Sequence, residues 1–175
     1  GQGEVSILPW LPDYISDIRE HLPKAQILIS TNGSKLDVLA TNFVQNSVRR
    51  LFLSVEGGTQ SVHERIRGKG SFYQLVMGLR ALKRERKLAE SETPLMDFTT
   101  VLTRESVFDL TNLVRLAIRY GADSVKTQAL VPHMELNLLP LRLSTLTPEE
   151  KIRAIASIEE AKALAKEHNI EFRHL

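Results

Sequence analysis

Short apolar runs alternate along this chain with longer stretches in which apolar residues recur every three or four positions. The runs at 26–30 (Gln-Ile-Leu-Ile-Ser), 50–55 (Arg-Leu-Phe-Leu-Ser-Val), 94–102 and 124–131 have the length and composition of buried strands. Between them lie helical stripes. Leu11, Tyr14, Ile15, Ile18 and Leu22 form one, and Leu36, Leu39, Ala40, Phe43 and Val44 form a second. Phe72, Leu75, Val76, Leu79 and Leu82 form a third, and Leu110, Leu113, Val114, Ala117 and Ile118 a fourth. The punctuation agrees with this period. Ser106 and Asp109 suit a helix start, and Gly121 suits a left-handed stop. Thr147-Pro148-Glu149-Glu150 combines an N-cap, a proline in the first turn and a capping-box glutamate. The helix that follows is expected to run to about His168, with a further strand beginning at 170–173.

Strand and helix alternating with short links imply parallel strands joined by right-handed crossovers. Four clear β/α units are too few to close an eight-stranded barrel of about 250 residues. The expected fold class is therefore α/β, a partial (β/α) barrel with parallel strands and outer helices, forming one domain over residues 1–175. No second domain, linker or internal repeat is visible.

Composition narrows the function classes. With 23 basic and 21 acidic residues the net charge is only +2, which does not suggest a nucleic-acid or membrane surface. Apolar residues make up 42% and charged residues 25%, an ordinary globular balance. No apolar run approaches the roughly 18 residues of a membrane span, and a cytoplasmic setting is the default. The chain has no cysteine, so its own residues form no disulfide and no thiolate metal site. The basic run at 83–87 reads as a solvated helix end.

In parallel β/α folds ligands gather where strands end. The strand ends here are Ser30-Thr31-Asn32-Gly33, Ser54-Val55-Glu56-Gly57-Gly58, the stretch 99–103 and the stretch 128–132. Hydroxyl and amide side chains at such places either meet a ligand or cap helices and turns, and for Asn32 and Thr59 both readings stand. Ser54, inside the strand run, is less readily a turn residue. Arg67, on or just after a helix starting near Thr59, is either a carboxylate clamp or a surface arginine. An ordinary acid–base barrel would need converging carboxylates. Glu56 and Asp97 are the candidates, with Asp97 early in its strand. The five histidines, His21, His63, His133, His168 and His174, lack close metal-ligand spacing. His133, in a loop after a strand, either touches substrate or is solvated.

Taken in order, these motifs resemble a radical S-adenosylmethionine (SAM) domain of the group often followed by a SPASM domain. Gly1-Gln2-Gly3-Glu4-Val5 is similar to the Gly-x-Gly-Glu-Pro turn that holds the SAM amino group, with Val5 in place of proline. Thr31-Asn32-Gly33 resembles the strand end beside SAM or substrate, and Ser54-Val55-Glu56-Gly57 the element whose serine contacts SAM. Glu64-Arg65-Ile66-Arg67-Gly68 resembles the segment whose arginine meets the SAM carboxylate. Gln128-Ala129-Leu130-Val131 resembles the strand flanking adenine. The resemblance implies Gly1, Gln2, Gly3, Glu4, Thr31, Asn32, Ser54, Glu56, Arg67, Gln128 and Leu130 as cofactor-binding residues, with no metal ligand among them. It implies SAM and a 4Fe–4S cluster as cofactors, the ligand cysteines lying upstream of Gly1, and hence a barrel truncated at both ends.

The function so implied is the SAM-binding portion of an oxidoreductase or maturase. Its parent enzyme would reductively cleave SAM to a 5′-deoxyadenosyl radical for hydrogen abstraction. A small-molecule or peptide substrate and an electron donor such as ferredoxin or flavodoxin would be its partners, with neither nucleic acid nor membrane involved. The alternatives are a cysteine-less pseudoenzyme, a partner-binding barrel, or the acid–base barrel above. Truncation also implies an unpaired strand edge near 26–30, and unpaired edges invite association, so poor solubility is expected.

Overall fold

The structure, a computed structural model, describes residues 3–130 and 139–174. Expectations placed on Gly1, Gln2, Val131, Pro132 and His133 lie outside the described residues. Five strands follow one another in a single sheet in the order β1-β2-β3-β4-β5. Each strand is laid beside its predecessor, with no reversal of order of the kind that marks a doubly wound sheet. Chain contacts group the residues into two compact units, Gly1–Ser54 with Lys69–Asp97, and Val55–Gly68 with Phe98–Leu175.

The first unit contains α1 (Leu11–His21), β1 (Leu28–Thr31), α2 (Leu36–Gln45), β2 (Arg50–Ser54), α4 (Ser71–Leu88) and the start of β3 (Leu95–Leu102). β1 and β2 pair in parallel, Leu28 opposite Arg50 and Thr31 opposite Leu53. The α2 and α4 stripes bury Leu36, Leu39, Ala40, Phe43, Leu75, Leu79 and Leu82 with Leu51 and Leu53 of β2. Removing such side chains from water is the main drive for this packing. The α1 stripe is buried only in part. Leu11 and Ile15 are covered, while Tyr14 and Leu22 stay more than half exposed. The reason is positional: α1 flanks a groove of about 890 Å³ alongside β1, the edge strand, so part of its apolar face is left uncovered among the described residues.

The second unit contains α3 (Gln60–Arg67), the rest of β3, α5 (Leu110–Tyr120), β4 (Ser124–Ala129), α6 (Pro148–Glu167) and β5 (Glu171–His174). β4 and β5 pair in parallel from Ser124 opposite Glu171 to Thr127 opposite His174. α5 buries Leu110, Leu113, Val114 and Ala117 and ends at Gly121, whose φ of 71° is the left-handed stop that glycine adopts without a Cβ clash. The capping box at α6 forms, with Thr147 Oγ1 accepting the Glu150 N–H and Glu150 accepting the Thr147 N–H. The start of α5 differs from expectation. Ser106–Asp109 makes a turn of 3₁₀ helix and α5 begins at Leu110. Asp109 makes no side-chain cap on α5 because its carboxylate is engaged elsewhere, as shown below. Among the described residues no helix is long and apolar enough to cross a membrane.

Candidate functional site

In the first unit the chemistry-bearing residues meet at the C-terminal end of β1. Glu4 Oε1 accepts the Ser6 N–H at 2.9 Å and the Thr31 hydroxyl at 2.6 Å, and its Oε2 accepts the Asn32 N–H at 2.6 Å. Thr31 Oγ1 in turn accepts the Gly33 N–H, and Asn32 Oδ1 accepts the Ser34 N–H. Burial works against the charge on Glu4, but the hydrogen bonds from Ser6, Thr31 and Asn32 outweigh it and hold the carboxyl below its ordinary pKa. Glu4 therefore fastens the N-terminal turn to the strand end. Both its oxygens face protein donors, and what the turn can offer a ligand is backbone. Ser54 closes β2, half-buried on the face it shares with Arg50 and Phe52.

Asp97 is occupied. Its carboxylate is fully buried and lies 2.5 Å from Arg50 Nη1, the arginine standing first in β2. This is a structural ion pair near the strand starts, as the early position of Asp97 in its strand indicated, and it leaves the carboxylate no proton-transfer role.

In the second unit the site is built around Glu56, buried with 4% exposure just past the end of β2. Its Oε1 accepts Arg67 Nε–H at 3.1 Å and Nη2–H at 2.5 Å, and its Oε2 accepts the Val101 N–H at 3.2 Å. The Glu56 N–H donates to His63 Nδ1 at 3.3 Å. His63 and Arg67 stand four residues apart on α3, and so on one helix face. With Nδ1 accepting, the ring proton belongs on Nε2. His63 is 1% exposed, and burial, followed by the Arg67 charge, pushes its pKa down to about 4, so it is neutral at pH 7. The two carboxylates named for an acid–base barrel are thus each committed to an arginine.

The glycines before α3 have a packing reason. A Cβ on Gly58 would stand 2.0 Å from the Asn112 carbonyl carbon and 2.1 Å from the Leu113 nitrogen, so the loop runs against the α5 backbone. Asp109 secures this contact. Its Oδ2 accepts the Thr59 N–H and hydroxyl at 2.9 and 3.0 Å, and its Oδ1 accepts the Asn112 amide at 2.8 Å. Thr59, the N-cap residue of α3, makes no cap bond with its own side chain; its hydroxyl goes to Asp109. On β4, Gln128 is exposed, and Leu130 is half-buried just beyond the strand. Sequence reasoning named Thr59 as a strand-end candidate but missed His63 and Asp109 as members of this cluster. His63 follows Glu56 by seven residues, but nothing local marks Asp109, fifty residues from Thr59, as its partner.

The comparisons bear on this arrangement. No family model matches. The mycofactocin maturase MftC of Mycobacterium tuberculosis is 31% identical over 123 residues, which is 70% of this chain and 29% of that protein. The match therefore takes in less than a third of the relative's length. SuiB of Streptococcus suis superposes with a TM-score of 0.65 at 15% identity over 99% of this chain and 37% of SuiB. Its SAM-bound form gives 0.62 over 99% of this chain and 38% of SuiB, at 13% identity. TYW1, with a lysine-pyruvate adduct bound, gives 0.57 at 20% identity over 94% of this chain and 47% of TYW1. This chain carries a radical SAM core.

The radical SAM core can be tested against the groups such a core holds. For an iron–sulfur cluster the residues present do not fit: the sequence has no cysteine, and among the described residues no three His, Asp or Glu side chains stand close enough to share a metal. For the carboxylate of SAM they do fit. Arg67, with one third of its side chain exposed, is held along its Nε–Nη2 edge, and among the described residues its Nη1 group makes no hydrogen bond.

Proposed function

We propose that this chain is the SAM-binding portion of a peptide maturase. The observation that carries the reading is the Arg67 guanidinium, anchored at one edge by buried Glu56, one third exposed, and with no hydrogen bond at Nη1 among the described residues, the arrangement expected for gripping a carboxylate. In the first unit the turn at Gly3, fastened by Glu4, would offer backbone groups to an amino group, with Thr31, Asn32 and Ser54 at strand ends beside it. In the second unit Arg67 would meet the carboxylate, and Gln128 and Leu130 the adenine. When bound at an iron–sulfur cluster, SAM supplies hydrogen-abstracting chemistry, which belongs to the cofactor. The share of this chain's residues is to bind and orient the molecule.

A peptide substrate is supported by the maturase function in the name of MftC and by the structural likeness of SuiB bound to the precursor peptide SuiA, TM-score 0.60 at 14% identity over 99% of this chain. An electron donor such as ferredoxin or flavodoxin, and a cytoplasmic setting, belong to the same proposal. The test is calorimetric titration of the chain with S-adenosylhomocysteine. Arg67→Ala should lower the affinity about tenfold or more, the worth of one charge-assisted hydrogen bond. Unchanged affinity in that variant would remove Arg67 from the site.

A further inference from the structure

We infer that Glu56 does not contact the ligand and is instead a positioning residue that holds Arg67 in its gripping orientation, with His63 holding Glu56. The inference rests on the reading of Arg67 as the carboxylate-binding residue. Three hydrogen-bonding points fix Glu56: Arg67 on Oε1, the Val101 N–H on Oε2, and His63 Nδ1 on its own N–H. No carboxylate oxygen is left without a protein donor, and the residue is 4% exposed. A carboxylate so placed has little surface to offer a ligand.

Two roles remain for such a pair. Glu56 could compete with an incoming carboxylate for Arg67, or it could hold Arg67 while the ligand takes the other edge. Burial decides between them. Drawing Arg67 away would strand a buried carboxylate without its countercharge, which is far costlier than leaving an exposed pair. The guanidinium has five N–H donors in a fixed fork. Glu56 uses Nε–H and one Nη2–H, and among the described residues the Nη1 group makes no hydrogen bond, which leaves a second edge to a ligand with its orientation set before the ligand arrives. An arginine ordered in advance loses less conformational freedom on binding. His63 suits its part only when neutral, because a protonated ring could not accept the Glu56 N–H.

Glutamine at position 56 probes this sharply. Glutamate serves Arg67 with one oxygen and Val101 with the other, whereas glutamine has a single acceptor oxygen and must abandon one of them. The titration uses two probes, S-adenosylhomocysteine, which carries the carboxylate, and 5′-methylthioadenosine, which lacks the whole aminocarboxypropyl arm. Glu56→Gln should weaken S-adenosylhomocysteine about tenfold and leave 5′-methylthioadenosine unchanged. Arg65→Ala, on the same helix but paired with Glu105 at the surface, should change neither.

A second readout needs no variant. In the ¹⁵N spectrum of the wild-type chain, the Arg67 Nε–H signal should be protected from exchange and should hold its position when S-adenosylhomocysteine is added, while the Nη signals move. Tighter binding in Glu56→Gln, equal losses for both probes, or an Nε–H signal that shifts with ligand would each overturn the positioning role. If Arg67→Ala loses affinity while Glu56→Gln keeps it, the site stands and this inference fails. If the wild-type chain binds neither probe, the site reading falls and takes this inference with it.

Discussion

Replacing Gly58 by alanine adds one methyl group where there is no room for it. Its carbon would lie 2.0 Å from the Asn112 carbonyl carbon, 2.1 Å from the Leu113 nitrogen and 2.3 Å from the Asn112 oxygen. Ordinary carbon contacts begin at about 3.5 Å, so backbone must move by more than about 1 Å. Neither side yields easily. α5 is seated through Leu110, Leu113, Val114 and Ala117, all buried. The loop is tied by the Val55 N–H to the Thr99 carbonyl, by Glu56 to Val101 and by Thr59 to Asp109. Overpacking costs about 1–3 kcal/mol where side chains can adjust, and here the obstacle is main chain, so we expect about 3 kcal/mol or more. For a chain of this length that corresponds to a fall in Tm of roughly 6–12 °C.

Gly57→Ala is the matched comparison. Its methyl would meet Val62 Cγ1 at 2.6 Å and Asp109 Oδ2 at 2.8 Å, both side-chain atoms. We expect about 1–2 kcal/mol there. Urea unfolding of the three proteins, followed by circular dichroism with the slopes compared, measures both values. If Gly58→Ala lies within about 0.5 kcal/mol of the wild type, the surface-substitution range, or costs no more than Gly57→Ala, the close approach to α5 is not what demands glycine.

Two further outcomes follow from buried charges. Arg50→Leu should destabilise by about 3 kcal/mol because it removes the arginine countercharge of the buried Asp97 carboxylate, and the double variant Arg50→Leu/Asp97→Leu should recover most of that loss; a double variant as unstable as the single one counts against it. His63, with a folded pKa of about 4 against an ordinary 6.5, binds its proton more readily in the unfolded chain. Its contribution is therefore intact above pH 6.5 and is lost as pH falls toward 4, by at most about 3 kcal/mol. Denaturation midpoints of wild type and His63→Asn across pH 7 to 4.5 should converge as pH falls, and parallel curves would refute this.

How much of this was legible beforehand follows from how far each signal reaches along the chain. The strands at 50–55 and 94–102 and the helices at 36–45 and 71–88 show in the spacing of apolar residues because burial of one face imposes its period on consecutive positions. Thr147 and Gly121 are legible for the same reason, a cap or a left-handed stop being settled within one turn of helix. α1 marks where the period stops informing. Its stripe is as regular as any other, yet Tyr14 and Leu22 stay exposed, since periodicity names an apolar face and not what covers it.

The site divides along the same line. Resemblance to strand-end motifs singled out Glu4, Glu56 and Arg67, but their roles came from partners distant in sequence. Glu4 is spent on Thr31 and Asn32, Glu56 on Arg67 and Val101, and Asp97 on Arg50. Gly58 shows the same limit. As a residue in a strand-end motif it could be turn or ligand contact, and only the backbone of α5, more than fifty positions on, shows why a side chain is excluded. Sequence by itself determines which segments become strands and helices, because that preference is written in neighbouring residues. Which carboxylate meets which arginine, and which loop lies against which helix, is decided by tertiary packing, where burial leaves a charge or a close-packed backbone no tolerable alternative partner.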